Sequence, residues 1–328
     1  MDIDFVLTWV DPSDSAWQAK KAFYTGTTAS EGNTEVRYRD WDTLKYWFRG
    51  VEKFAPWVRH VYFVTDDQKP EWLNTDHPKL KWIKHTDFIP GEYLPVFSSH
   101  PIEWNLHRID GISDHFVYFN DDMFLIDKTD PTDFFENGLP CDFPTVGVLY
   151  AGGFFSHMLF NNMELINRNF SFRNSIRNHP WKWMKGQSVY GLLKLLIYGR
   201  RDMLPGITAH HIHVSFLKRT FHQLWSTEYD IVHKTCKNKL RSREDVTPWC
   251  MRDWQLLSGM FYPKRPIGRF FQTESLERND DAMKYLRGQK GKVICLNDTE
   301  DEKHFELHKQ MILAEFERLL PEKSKFER

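Results

Sequence analysis

Phe116-Val117-Tyr118-Phe119-Asn120-Asp121-Asp122-Met123-Phe124-Leu125 opens apolar and aromatic, then stops at three side chains that carry oxygen. The opening run reads as a buried strand. In an open α/β sheet, ligands bind just beyond the carboxyl ends of the strands, which is where Asn120, Asp121 and Asp122 would lie. Two adjacent carboxylates and an amide suit a hard divalent cation that leaves room for substrate phosphates. The same triplet also reads as a turn, because Asn and Asp hydrogen-bond their own backbone.

Composition narrows the classes. The 328 residues allow one large domain or two moderate ones. A formal net charge of -1 lacks the basic footprint of a nucleic-acid protein. Aromatic residues reach 16%, which supplies core and leaves faces suited to stacking on a base or a sugar ring. Cys141, Cys236, Cys250 and Cys295 contain no CxxC pair, which fits a reducing compartment and argues against a disulfide scaffold or a cysteine zinc site. The acidic start Met1-Asp2-Ile3-Asp4 runs straight into a strand pattern and does not read as a signal peptide. Gly191 to Tyr198 is the most apolar later run, but it is short and interrupted by Lys194, so no membrane span is expected. These features predict a cytoplasmic protein; the basic tail after Pro321 is the one stretch that could associate peripherally with an anionic membrane face.

Along the chain, Ile3 to Val10 is a strand closed by the turn Asp11-Pro12-Ser13-Asp14. Gly26 to Asn33 is small and polar and reads as a mobile loop. Asp40 is placed to cap a helix whose apolar face is Leu44, Trp47, Phe48, Val51 and Phe54, with Pro56 ending it. Val58 to Thr65 and Leu80 to Ile83 are the next strands. Strand and helix alternate over the first ~125 residues, as in a doubly wound sheet. Ser98-Ser99 starts a helix with Ile102, Leu106 and Ile109 on one side and Glu103, His107 and Asp110 on another. That second trio reads better as a solvated face or a hydrogen-bonded bracket than as metal ligands or an acid/base pair. Residues 151–290 read as mainly helical, with His210-His211-Ile212-His213 inside them and no fourth ligand at zinc spacing. Val293 to Leu296 is a late strand that again ends in Asn-Asp. A last helix from Asp301 to Leu320 buries Phe305, Ile312, Phe316 and Leu319, and the basic tail after Pro321 reads as frayed.

Several segments together resemble one family, the Stealth proteins, which are sugar-1-phosphate transferases. The first is Ile3-Asp4-Phe5-Val6-Leu7-Thr8-Trp9-Val10-Asp11. The second begins at Arg39-Asp40, passes through Ala55-Pro56-Trp57-Val58-Arg59, Pro70-Glu71-Trp72-Leu73 and Leu94-Pro95-Val96-Phe97-Ser98-Ser99, and closes at Asn120-Asp121-Asp122. The third runs from His211 through Lys218 to Arg241 and Asp245, with His213 where the family often has proline. The fourth is Cys295-Leu296-Asn297-Asp298. The four blocks span nearly the whole chain.

The resemblance implies a glycosyltransferase-A-like α/β fold: a nucleotide-sugar-binding part (1–150), a mainly helical acceptor part (151–290), and a returning strand with a C-terminal helix (291–328). It implies transfer of a sugar-1-phosphate from a UDP-sugar to a hydroxyl of an oligo- or polysaccharide acceptor, with release of UMP. Under this reading Asp121, Asp122 and Asn297 hold Mg²⁺ or Mn²⁺. His211 is the general base, with His213 as fallback, and Arg241 is a planar fork for phosphate. Asp4, Thr8, Trp9, Arg39, Asp40, Ser99 and Lys218 contact the donor. Two alternatives stay open: a conventional metal-dependent glycosyltransferase that releases UDP, and a non-catalytic glycan-binding protein with stacking tryptophans.

Overall fold

The computed structural model describes residues 1–25, 39–273, 276–298 and 304–328. Its strands in chain order are β1 (Ile3–Thr8), β2 (Val61–Thr65), β3 (Leu80–Lys84), β4 (His115–Phe119), β5 (Met123–Leu125), β6 (Phe135–Glu136), β7 (Leu139–Asp142), β8 (Val214–Leu217), β9 (Tyr262–Pro263), β10 (Gly268–Gln272) and β11 (Val293–Asn297). Among the described residues they make a five-stranded sheet, β3-β2-β1-β4-β8, and two small sheets, β10-β11-β5 and β6-β7-β9. β1 to β4 are parallel to one another, and β8 runs antiparallel to β4.

Both faces of the large sheet are covered, and this explains why its strands read as unbroken apolar runs. Phe5, Leu7, Phe63, Val117 and Phe119 face one core with the helix Leu44–Phe54 and the C-terminal helix Phe305–Leu319. Val6, Tyr62, Val64, Phe116 and Tyr118 face a second core built with Trp104, Phe221 and Trp254. Phe119 is fully buried against Phe5 and Trp47, with ring centroids 4.9 and 5.7 Å away. Truncating a core aromatic of this kind costs about 3–5 kcal/mol.

The pivotal stretch holds more than one strand. After β4 the chain turns, with the Met123 N–H donating to Asn120 O (3.1 Å), and enters β5. β5 leaves the large sheet and pairs antiparallel with β11, Met123 opposite Cys295. Asn120, Asp121 and Asp122 are therefore the joint between two sheets. Gly50, inside the helix Leu44–Phe54, lets that helix lie close on β5, since a Cβ there would sit 2.9 Å from Leu125 O.

Several expectations change. Three strands, β8, β9 and β10, lie among the helices of the 151–290 part, and β8 completes the large sheet. Asp40 does not cap the helix Leu44–Phe54. That helix begins at Leu44 with Thr43 in the cap position, because Asp40 instead accepts the Asp42 N–H (2.8 Å). The C-terminal tail is docked rather than frayed. Phe326 is buried against Phe48, Asn74 N–H donates to Phe326 O (2.8 Å), and Glu327 accepts from Arg49 (2.9 Å). The loop expected at Gly26 to Asn33 and the predicted helix start at Asp301 lie outside the described residues. No helix among the described residues is long and apolar enough to cross a membrane. All four cysteines are free.

Candidate active site

The site follows from strand ends. β1 and β4 finish side by side, Leu7 opposite Phe119, so Thr8 and Asn120 emerge together at the carboxyl edge. The Tyr118 hydroxyl ties that edge together. It lies 3.0 Å from Thr8 Oγ1, 3.0 Å from Glu103 Oε1 and 2.6 Å from Asn120 Oδ1. Glu103 is thus the bracket expected of it, and His107 is buried against Phe221, His222 and Trp225, with burial pushing its imidazole down to about 3.

Beyond Asn120, β11 delivers a third wall. Asp122 O accepts from the Leu296 N–H (2.9 Å), and the Cys295 thiol donates to Asp122 Oδ2 (3.4 Å). From the other side, His211 brings Nε2 to 4.0 Å from Asp122 Oδ2. One ligand-type atom from each of Asp122, His211 and Cys295 falls within a 4.8 Å cluster. The second carboxylate oxygen, Asp122 Oδ1, is buried with no hydrogen-bond partner. A buried acceptor left unpaired is costly, by about 1–3 kcal/mol, so this oxygen keeps a lone pair that a ligand could take.

Burial pushes the Asp122 carboxyl upward, and the nearby His211 opposes that push. Asp121 is exposed in surface area, and the surrounding protein, then the Asp122 charge, push its carboxyl in the same direction. Burial, then the Asp122 charge, keep the Cys295 thiol well above its ordinary range. A neutral thiol is a poor ligand for a hard cation, so Cys295 orients Asp122 rather than competing with it.

His211 is unusual in its backbone. Its φ of 45° lies in the left-handed region, which costs a non-glycine residue energy and collects at functional sites. Its ring is half-exposed and is held by Phe270, edge to face at 5.0 Å, and Trp249 at 6.1 Å. An open cleft of ≈ 450 Å³ adjoins it, lined in part by His210, His213, Trp249 and Arg252. His213 is a different kind of histidine. It stacks on Phe119 (5.7 Å) and meets Phe134 edge to face (4.9 Å), and burial pushes it down to about 4.

Arg241 reaches the same edge from the loop before the helix Trp249–Leu257. Its Nη2 donates to Ser99 Oγ (3.4 Å), one helical turn before Glu103 on the same helix face. The acidic neighbours in sequence are engaged elsewhere. Glu244 pairs with Lys234 (2.6 Å), while Asp245 accepts from Asn238 (2.6 Å) and the Ser242 N–H (2.9 Å). Trp9 stacks on Phe63 (5.8 Å) beside Thr8. Asn297 closes β11, and its amide nitrogen donates to Asp298 O (3.1 Å), which leaves the amide oxygen as the group it can offer. Arg39 forks onto Asp298 at 2.9 and 3.0 Å, so it holds that segment in place. The Asp40 charge is near enough to contribute to the push on Asp121.

Two predicted donor contacts lie at the opposite end of the sheet. Asp4 is fully buried, and its two oxygens accept from Arg59, the His60 N–H (3.2 Å) and the Ser113 N–H (2.7 Å), which commits the carboxylate to the fold. Lys218 follows β8, whose antiparallel run carries it to the amino edge, where its N–H donates to Asp114 O (2.9 Å). The five residues of β4 at ~3.3 Å each put it roughly 16 Å from the Asp121 end. Sequence reasoning missed the Tyr118 hydroxyl and the Cys295 thiol. A tyrosine two residues before Asn120 on a strand, and a cysteine two residues before Asn297, were the available signals, since alternate residues share a strand face.

The first family region, Stealth protein CR1, matches residues 1–29, and the second, Stealth protein CR2, matches residues 37–141. Over 334 residues the chain is 40% identical to a capsular polysaccharide phosphotransferase, WcwK, of Streptococcus pneumoniae, covering 99% of each. A receptor polysaccharide phosphotransferase, WefC, of Streptococcus oralis is 40% identical at the same coverage. An exopolysaccharide phosphotransferase, cps2G, of Lactiplantibacillus plantarum is 39% identical over 100% of this chain and 96% of that one. Solved structures of weaker likeness are two glycosyltransferases. They are the galactosyltransferase LgtC (TM-score 0.38, 10% identity, 95% of each chain covered) and GlyE of Streptococcus pneumoniae (TM-score 0.40, 11% identity, 98% of this chain and 62% of that one). At these scores neither bears on the chemistry of the site. The full-length identity to phosphotransferases does: the chain is a transferase enzyme and belongs to the Stealth family.

Proposed function

We propose that this enzyme transfers a hexose or N-acetylhexosamine 1-phosphate from a UDP-sugar to a hydroxyl of a saccharide acceptor in the cytoplasm, at a membrane face, building a capsular or exopolysaccharide. The relatives' names supply the product class. The observation that carries the site is the Asp122 carboxylate, one oxygen buried and unpaired, the other 4.0 Å from His211, at the joint of two sheets.

The balance is simple. The acceptor oxygen forms a bond to the sugar-bearing phosphorus, the bond from that phosphorus to the bridging oxygen breaks, and UMP leaves with the electron pair. The acceptor proton passes to His211 Nε2, because an imidazole near neutral pH accepts protons readily. Arg241 meets the phosphate oxygens with its planar fork, steadied by Ser99. Thr8 and Trp9 border the donor at the end of β1, near Asn120.

Asp121, Asp122 and Asn297 offer oxygen ligands, and the unpaired Asp122 Oδ1 fits a hard divalent cation. Such an ion, Mg²⁺ or Mn²⁺, would supply charge neutralisation for the pyrophosphate. Phosphoryl transfer needs positioning and charge neutralisation more than covalent help, which is what this edge provides.

The test is ³¹P NMR of the protein with a panel of UDP-sugars and saccharide acceptors, with and without chelator. A phosphodiester resonance with stoichiometric UMP, lost on chelation and restored by Mg²⁺ or Mn²⁺, is the expected result. Release of UDP instead would make the enzyme an ordinary glycosyltransferase. Sugar binding with no turnover would make it a glycan-binding protein.

A further inference from the structure

The helix Val189–Tyr198 is built inside out. An amphipathic helix on a water-facing surface turns its apolar stripe to the core. Here Val189, Tyr190, Leu192, Leu193, Leu196 and Ile197 are all exposed, from 42% to 76%, and Leu195 is the one residue of the helix that is fully buried. At 100° per residue the six exposed side chains fill one arc of roughly 160°. The helix's single charge points inward, where Lys194 Nζ donates to Val146 O (3.1 Å). In the segments that flank the helix in sequence, Trp181, Met184 and Met203 are 52%, 50% and 68% exposed. An uncovered apolar face of this extent marks an interaction surface.

The charge around it selects the partner. Of the eight Lys and Arg between 165 and 201, Arg168 pairs with Glu228, Arg173 with Asp202, and Lys182 and Lys194 donate to backbone carbonyls, while Arg200 and Arg201 stand exposed just past the end of the helix. An apolar face with Tyr190 on it and two exposed cations at its end matches an anionic bilayer surface. It does not match a second copy of itself, since a two-fold interface would set the same basic surfaces against each other. We propose that the Val189–Tyr198 face docks the enzyme on an anionic lipid bilayer, lying in the interface without crossing it.

The experiment is co-sedimentation of the full chain with phosphatidylcholine vesicles, with and without phosphatidylglycerol, read beside sedimentation-velocity ultracentrifugation. The protein is expected to bind the anionic vesicles at least about tenfold better than the neutral ones, and to lose most of that binding in a Leu193→Glu/Ile197→Glu variant. Arg200→Glu/Arg201→Glu should remove the preference for anionic lipid while Tm is unchanged. Both pairs should keep normal transfer to a soluble oligosaccharide acceptor, so failure of docking stays separate from failure of the reaction proposed above. Equal affinity for both vesicle types would overturn the proposal. So would a stable dimer that the Leu193→Glu/Ile197→Glu variant dissociates.

Discussion

Asp4 and Asp122 belong to opposite edges of one sheet, and their surroundings differ in kind. Asp4, at the amino edge, is fully buried and spends both oxygens on Arg59 and two backbone N–H groups. Asp122, at the carboxyl edge, has one oxygen beside a thiol and an imidazole and another with no partner at all. Residue type does not separate these two carboxylates. Hydrogen-bond satisfaction does: the fold fills both oxygens of Asp4 and leaves one oxygen of Asp122 unpaired.

Swapping each carboxylate for its amide breaks or sharpens this contrast. Asp122→Asn is expected to lower transfer at least about 10²-fold while leaving the denaturation midpoint near wild type. Asp4→Asn is expected to cost about 3 kcal/mol, because it strips a buried partner from Arg59, with the folded fraction still active. Equilibrium unfolding and transfer rates of the two variants, side by side, decide it. A stable, inactive Asp4→Asn would invert the assignment of the two edges.

The histidines carry the contrast to a finer level. His211→Ala should lower transfer about 10²- to 10⁴-fold with little change in stability, as expected for a general base. Arg241→Ala should fall in a similar range, and Arg241→Lys should not restore it, since an ammonium cannot replace a planar fork. His213→Ala should lose stability first, because its ring fills an aromatic pocket. A folded His213→Ala with transfer as low as His211→Ala would move the base from His211 to His213.

The smallest effect is on pH. Burial pushes His85, His107 and His213 down to about 4, about 3 and about 4, against an ordinary value near 6.5. The unfolded chain binds these protons more readily, so stability is complete above pH ~6.5 and falls as pH drops toward ~4. Unfolding free energies from urea titrations at pH 7.5 and pH 5 should differ by roughly 2 kcal/mol for each ring held neutral, and His107→Leu should reduce the difference. A flat profile would mean these rings are not held neutral by the fold.

The carboxyl edge of the sheet could be placed from the sequence alone. Asp121 and Asp122 declared themselves by following an apolar run, and the late strand ending in Asn297 could be expected to return beside them. Its partner could not be foreseen, because it pairs with β5, a three-residue strand hidden behind the Asp pair. The helix face Leu44, Trp47, Phe48, Val51 and Phe54 followed from its period and is buried throughout. Its start did not, since Asp40 found a closer donor in the Asp42 N–H.

Local pattern determined strands, helix faces and the family, because these depend on side-chain period and on motifs that are contiguous in sequence. Tertiary structure decided which strand end each residue occupies and what stands opposite it. Asp4 and Thr8 are four residues apart in one family block, yet a strand places them at opposite ends of a sheet. Lys218 was sent to the wrong edge by an antiparallel strand that no sequence period distinguishes from a parallel one. The exposed face of Val189–Tyr198 belongs to the same class of fact. An apolar run announces burial, and only the packed chain shows that this one is turned outward.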